Sequence, residues 1–448
     1  MSAKAKLINY VLIPLGGLLF ILAYIALNAY TIWRTGTLIE NAIADPAATT
    51  NSSSEGASGE EGGVPDHGTL KGLWVGLAWG VATVPMMVLP LVVGAEHRVL
   101  QSVCRWLSRV AYTAVATVLW AAGALLVWEV VNACVPAAHG DAAHGRGALA
   151  SVLAVAGVAA AATAAHLASS LALRTRHVTL RSRRVRAPLT LAHISDVHIG
   201  SRTARWLRRV VAAVNAAPCD AVVVSGDLFD YPGVQERELD ALRDVRSPVY
   251  AVSGNHDLAT GARAHRRLYA HLAPQVTLLD DAAAPVPGPS GAVLLGVCDT
   301  GDKQAYLNVA RTLSDKCRKP SEGQQGQEQE PYRVLINHRP WGFETVARED
   351  IADLFLSGHT HAGGQLLLFL PLVKAAFPTF HGHYVLGDHH MYCSPGTGTW
   401  GPYAREWGFN LVTFIHILPE DEHATNALSA SASASASASS ESCALLNH

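Results

Sequence analysis

An α/β fold is predicted for the C-terminal half of the chain, and three observations predict it. Short apolar runs recur from Leu189 onward, and each ends at a polar motif. Helical stretches such as Ala204 to Ala217 separate the first of these runs. The third observation is where chemistry-bearing residues fall, immediately after the apolar runs. Strands that alternate with helices and stop at polar groups describe an α/β domain with its site at the strand ends.

The runs are taken in order. Leu189 to Ile194 is the first buried strand and leads to Ser195-Asp196; Ala221 to Ser225 leads to Gly226-Asp227. Val249 to Ser253 precedes Gly254-Asn255-His256, Val334 to Ile336 precedes Asn337-His338, and Leu354 to Ser357 precedes Gly358-His359. All but the short Val334 to Ile336 are the length of a buried strand. Glycine before a polar residue is expected to let the backbone turn sharply there.

The N-terminal half has a different texture. The chain has 448 residues, 50% hydrophobic and only 16% charged, too apolar for an ordinary soluble enzyme of this size. Most of the excess precedes residue 174. Four stretches there, near residues 7–33, 73–94, 110–131 and 148–173, are expected to cross a bilayer. The first is too long for a cleaved signal peptide. Basic residues flank three of the segments between or beside these spans: Lys4 and Lys6, then Arg98, Arg105 and Arg109, then the cluster from Arg174 to Arg186. With four spans these lie on one side, which predicts a multi-pass protein with its C-terminal domain on the cytoplasmic side. The Arg cluster is read as a stop-transfer signal. The expected organisation is a membrane region at 1–186, an α/β domain at 187–419 with a surface insertion near 319–331, and a Ser/Ala-rich tail at 420–448 without core-forming capacity. A formal net charge of −2 gives no reason to expect a nucleic-acid partner. Seven scattered cysteines without a C-x-x-C pair fit neither a disulfide framework nor a zinc ribbon.

Five motifs carry the chemistry: D-V-H at Asp196 to His198, G-D-L-F-D at Gly226 to Asp230, G-N-H-D at Gly254 to Asp257, N-H-R-P at Asn337 to Pro340 and G-H-T-H at Gly358 to His361. Together they supply Asp196, His198, Asp227, Asn255, His338, His359 and His361, a set able to hold two divalent metals. Asp227 is the natural bridging ligand, since a carboxylate has two oxygens for two ions. Imidazole and carboxylate donors suit manganese, iron or zinc better than calcium. Such a pair generates a hydroxide nucleophile and neutralises phosphoryl oxygens. His256 is then the expected general acid for the leaving group, with Asp257 available to orient it. His193 is expected to pack within its strand, and His381, His383, His389 and His390 to lie in a late loop without ligating.

With these motifs in this order, the chain resembles the calcineurin-like metallophosphoesterase superfamily over about Ala187 to Pro419. The resemblance implies two packed β-sheets flanked by helices. It also implies one metal on Asp196, His198, Asp227 and His361, a second on Asp227, Asn255, His338 and His359, and His256 as the acid. G-H-T-H-A-G-G-Q at Gly358 to Gln365 and S-P-G-T-G-T-W-G-P at Ser394 to Pro402 are similar to a narrower group. These are the membrane-anchored phosphoesterases like bacterial YkuE and YaeI and the animal transmembrane proteins with a metallophosphoesterase domain. The first of these blocks has one residue more than the bacterial pattern. Tyr231 and Asp257 stand where the superfamily's serine/threonine protein phosphatases carry Arg and Glu, which argues against that activity. The resemblance implies a membrane-tethered phosphohydrolase acting on a phosphodiester or pyrophosphate, with a lipid-linked nucleotide as one substrate class. The alternative is a non-catalytic metal-binding scaffold or sensor module on a membrane anchor.

Overall fold

The computed structural model of the protein describes residues 34, 37, 120–128, 142–231, 233–318, 330–365, 370–400, 405 and 408–420. The spans expected at 7–33 and 73–94, most of the 319–331 insertion and the Ser/Ala tail lie outside them. Of the span expected at 110–131, residues 120–128 are described and helical. Helix α1 runs Ala142–Leu171, and its portion Leu153–Leu171 is long and apolar enough to cross a membrane. Among the described residues it is the one helix that meets that test, and it falls within the span expected at 148–173.

Twelve strands form two six-stranded sheets. The first contains β1 (Leu173–Ser182), β12 (Asn410–Pro419), β2 (Leu189–Ile194), β3 (Ala221–Val224), β4 (Val249–Ala251) and β5 (Val276–Leu278) in that order. The second contains β10 (Gly382–Leu386), β11 (His389–Cys393), β9 (Leu354–Ser357), β8 (Tyr332–Asn337), β7 (Ala292–Val297) and β6 (Ala282–Pro285). β2 to β5 run parallel, as do β7, β8, β9 and β11. The strands carrying the motifs therefore point the same way within each sheet.

Both faces of the sheets are covered, which explains why the motif strands read as unbroken apolar runs. Leu189, Leu191, Val223 and Val252 of the first sheet meet Leu294, Val334, Ile336, Leu354 and Leu356 of the second. The other face of the first sheet, Ala192, Ile194, Val222 and Val224, packs under helices α2 (Ala204–Val214) and α4 (Ala262–Leu272). Thr203 caps α2 by accepting from the Trp206 amide. On the second sheet, Leu295, Leu335 and Phe355 pack under α5 (Lys303–Arg318) and α6 (Phe343–Arg348). The two-sheet sandwich with outer helices thus follows from period-two burial on two sides.

The first strand lies upstream of residue 187. β1 pairs in parallel with β12 over ten positions, Leu173 with Asn410 through Ser182 with Pro419. Val178, Leu180 and Ser182 turn inward, while His177, Thr179 and Arg181 are exposed. An edge strand with one open face is rich in charge, so the arginines of the expected stop-transfer cluster from Arg174 to Arg181 belong to a sheet edge. A chain beginning at residue 187 would leave β12 as a bare, apolar edge. Size-exclusion chromatography should find such a chain aggregated, and a chain beginning at residue 172 much less so; equal behaviour would show β1 to be dispensable.

Candidate metal centre

The motif residues converge at the C-terminal ends of five strands. Asp196 and His198 follow β2, and Asp227 follows β3. Asn255 opens the short helix α3 (Asn255–Ala259) after β4; His338 follows β8, and His359 and His361 follow β9. The backbone is bent hard there. Asp196, His198, Asp227, His359 and His361 have φ of 53°, 53°, 55°, 72° and 48°. Each left-handed L-residue costs about 1 kcal/mol or more, and such a concentration is expected where geometry serves function. Ala362, the residue extra to the bacterial pattern, is a buried sixth case with φ 57°. Gly226 turns with φ 95°, as expected, but Gly254 has φ −91° and needs no special freedom. Its constraint is space, because a Cβ there would run into the Asp227 carboxylate and amide.

Two clusters result. Asp196, His198 and His361 place one ligand atom each within 4.8 Å of one another, and so do Asp227, His338 and His359. In the first, His361 Nε2 is 3.5 Å from Asp196 Oδ1 and 3.2 Å from His198 Nε2. In the second, His338 Nε2 is 3.0 Å from Asp227 Oδ2 and 3.2 Å from His359 Nδ1. Asp227 Oδ2 also lies 3.8 Å from His198 Nε2, so this carboxylate faces both groups. Five of the six are buried, and His359 is half-buried.

The electrostatics call for cations. Burial disfavours a charged His338, yet the carboxylates of Asp227 and Asp196 outweigh it and push the imidazole up to about 10. Burial likewise opposes the Asp227 carboxylate, and His338 overrides it to hold the group well below its usual range. A proton on His338 thus supplies positive charge between two buried carboxylates, a place a metal takes by releasing that proton. Burial and neighbouring cations depress His359 and His361 well below their ordinary values, leaving neutral rings with lone pairs to offer. Asn255 Oδ1 is buried without a hydrogen-bond partner, which for a native polar atom demands an explanation such as an ion. The residues present therefore fit a pair of divalent metals with mixed N/O donors.

The expected catalytic pair separates. Burial, then the His198 charge, lowers His256 to about 4, and its ring lies 5.0 Å from that of His198 and 5.1 Å from that of Trp400. Asp257 does not orient it. Its Oδ2 accepts from the amides of Asp227 (2.8 Å) and Gly254 (2.9 Å), and its Oδ1 from that of Phe229 (3.0 Å). The expectation that it steers His256 is corrected: as the third residue of a one-turn helix, it points back at the loop carrying Asp227.

Sequence reasoning passed over three contributors. Asp230, the last residue of G-D-L-F-D, sets Oδ2 3.4 Å from His198 Nδ1 and so directs Nε2 into the cluster. Ser195 donates to Asp196 Oδ2 at 2.6 Å, and the 394–400 loop fastens this turn through Thr397 N to Ser195 O (2.6 Å) and Gly398 N to Asp196 O (2.9 Å). Arg339, next to His338, is held through Nε by Asp299 (2.9 Å) and brings a cation near His359. The motif quoted Asp230 and Arg339 without a partner, and only the fold supplies one. His193 lies on the inner face of β2, 2.8 Å from Ser225 Oγ. His383, His389 and His390 belong to the β10–β11 hairpin rather than a loop, and His383 stacks on His390.

A two-sheet α/β sandwich with paired N/O clusters at its strand ends is a metallophosphoesterase-like fold. Residues 189–363 match the family model for calcineurin-like phosphoesterase, and the chain carries a domain of that family. An uncharacterised metallophosphoesterase of Helicobacter pylori is 27% identical over 240 residues, 52% of this chain and 61% of the relative. The transmembrane protein with metallophosphoesterase domain of Danio rerio is 31% identical over 48% of this chain and 49% of its own length. Phosphodiesterase YaeI of Escherichia coli is 28% identical over 48% of this chain and 76% of its own. The chain therefore spans only about half to three-fifths of the first two.

Proposed function

We propose that the domain is a dinuclear-metal phosphohydrolase that cleaves a phosphodiester or pyrophosphate, tethered to a membrane on its cytoplasmic side. The observation that carries this reading is the Asp227 carboxylate, 3.0 Å from His338 in one cluster and 3.8 Å from His198 in the other. Asp196, His198, Asp227 and His361 would hold one ion; Asp227, Asn255, His338 and His359 the second. Manganese, iron or zinc would supply Lewis acidity at a phosphoryl oxygen and a lowered pKa for water. The chain's own residues do the rest. Asp230 and Ser195 hold His198 and Asp196 in their orientations. His256 faces the clusters, where it would give a proton to the leaving oxygen as the general acid. Trp400 lies against His256, its ring centroid 5.1 Å away.

The printed name of YaeI favours a diester, and that of the Danio rerio relative favours a membrane tether. Candidate span α1 supports the tether, and Arg174 and Arg176 just past its end support the cytoplasmic side. A lipid-linked nucleotide is the substrate class that a tether would bring to the site.

The test is hydrolysis by the full chain in detergent with added manganese, comparing bis-p-nitrophenyl phosphate with p-nitrophenyl phosphate. The diester should be preferred, and His256→Ala should lose turnover by about 100-fold or more while keeping its metal, within the range of general acid catalysis. A metal-loaded chain inactive on diesters and pyrophosphates would point to a binding module.

A further inference from the structure

The end of the candidate span is fastened to the catalytic end of the domain. β12 runs antiparallel to β2, with Thr413 opposite His193, so Asn410 and its partner Leu173 lie at the end of the sheet where Asp196 emerges. The last carbonyls of α1 are clamped there. Arg202 donates to Ser170 O (2.7 Å), Arg209 to Leu171 O (3.0 Å), and Asn410 to Ser170 O (2.7 Å) and Ala172 O (2.9 Å). The linkage continues inward. Arg202 lies over the Trp206 ring at 4.6 Å, and Trp206 Nε1 donates to Thr397 O at 3.1 Å. Thr397 belongs to the loop that reaches Trp400 beside His256. A helix anchored this way has little freedom to hold the site far from the bilayer.

The same end carries the apolar side chains that a water-facing active site would not need. Trp400 is 43% exposed, Leu258 on α3 38% and Leu372 68%. Leu372 sits on helix α7 (Leu370–Ala376), none of whose residues is buried, and Leu370 packs at Gly363 just past His361. Phe377, immediately after α7, meets the His359 ring edge-on at 5.2 Å. Arg205, Arg208 and Arg209 are all exposed on α2, Arg209 reaches the end of the emerging span at Leu171 O, and α2 has no acidic residue in its first turn. Tryptophan and arginine around an apolar rim suit the headgroup layer of an anionic bilayer.

We propose that the catalytic end of this domain lies on an anionic lipid surface, with Leu372, Leu258 and Trp400 in the interface and Arg205, Arg208 and Arg209 among the headgroups. The metal centre then opens to the plane of the membrane, so its substrate is a phosphoester whose other end stays in the bilayer. This rests on reading α1 as a span, and it specifies the substrate class of the proposed hydrolase.

The test needs no activity, so its failure is separable from failure of the hydrolase reading. Leu372→Cys and, at the far end of the domain, Val385→Cys (56% exposed on β10) are labelled with an environment-sensitive fluorophore in full-length protein. Each is reconstituted into vesicles of phosphatidylcholine and phosphatidylserine, with unsubstituted protein giving the background from native cysteines. The label at 372 should shift to the blue and be quenched several-fold more by doxyl-labelled lipid than the label at 385. Equal quenching at the two positions would overturn the proposal. So would a blue shift without lipid quenching, which would mean that protein covers the rim, or release of the chain from vesicles by alkaline carbonate.

Discussion

Asp227→Asn is expected to abolish hydrolysis and strip metal from both clusters. The substitution keeps the size of the side chain but removes the charge of the carboxylate whose Oδ2 faces both clusters. The His338 proton depends on that same charge, so the variant should also lose the electrostatic pairing that orders the site without metal. Residues that only support a metal ligand typically cost 10–100-fold when mutated; the shared ligand itself should cost more than about 100-fold in rate. Elemental analysis and diester hydrolysis on the same sample decide it. A variant with two metals and full turnover would sink the shared-ligand assignment.

Asp257→Ala should instead be chiefly a stability mutation. The carboxylate is fully buried and accepts from three amides, those of Asp227, Gly254 and Phe229. Burial, and then the charge of Asp227, push its pKa up, while the amides of Gly254 and Phe229 hold it down. Alanine leaves three buried N–H groups without partners at roughly 1 kcal/mol or more each. A loss of about 3 kcal/mol lowers Tm by roughly 6–12 °C in a domain of this size. Metal affinity should fall with it, because the loop those amides belong to presents Asp227. Asp257→Asn, which retains one acceptor oxygen, should fall between. An alanine variant with unchanged Tm and metal content but lost turnover would restore the catalytic role that adjacency to His256 suggested.

That reassignment shows where reading the chain stops. In G-N-H-D, His256 and Asp257 are neighbours, and neighbours invite a pairing. In the first turn of α3 their side chains diverge, one toward the clusters and the other back under β3. Asp230 is the converse case: 32 residues separate it from His198, and only the packing of two strand ends brings them within 3.4 Å. The N-terminal border follows the same logic. β1 has the charge of a membrane flank because one of its faces is open, and its membership of the sheet depends on β12, which ends at Pro419.

What the sequence determined by itself was local. Apolar runs of strand length, ending in glycine, carboxylate and imidazole, specify an α/β domain with metal-binding chemistry at its strand ends, since burial period and ligand type are properties of short segments. Tertiary structure alone decided that Asp230 turns His198, that Asp257 braces the backbone, and that the candidate span ends beside the metal centre. Those facts depend on contacts between segments up to 240 residues apart, such as Asn410 with Ser170, and no local pattern of residues encodes a distance between them.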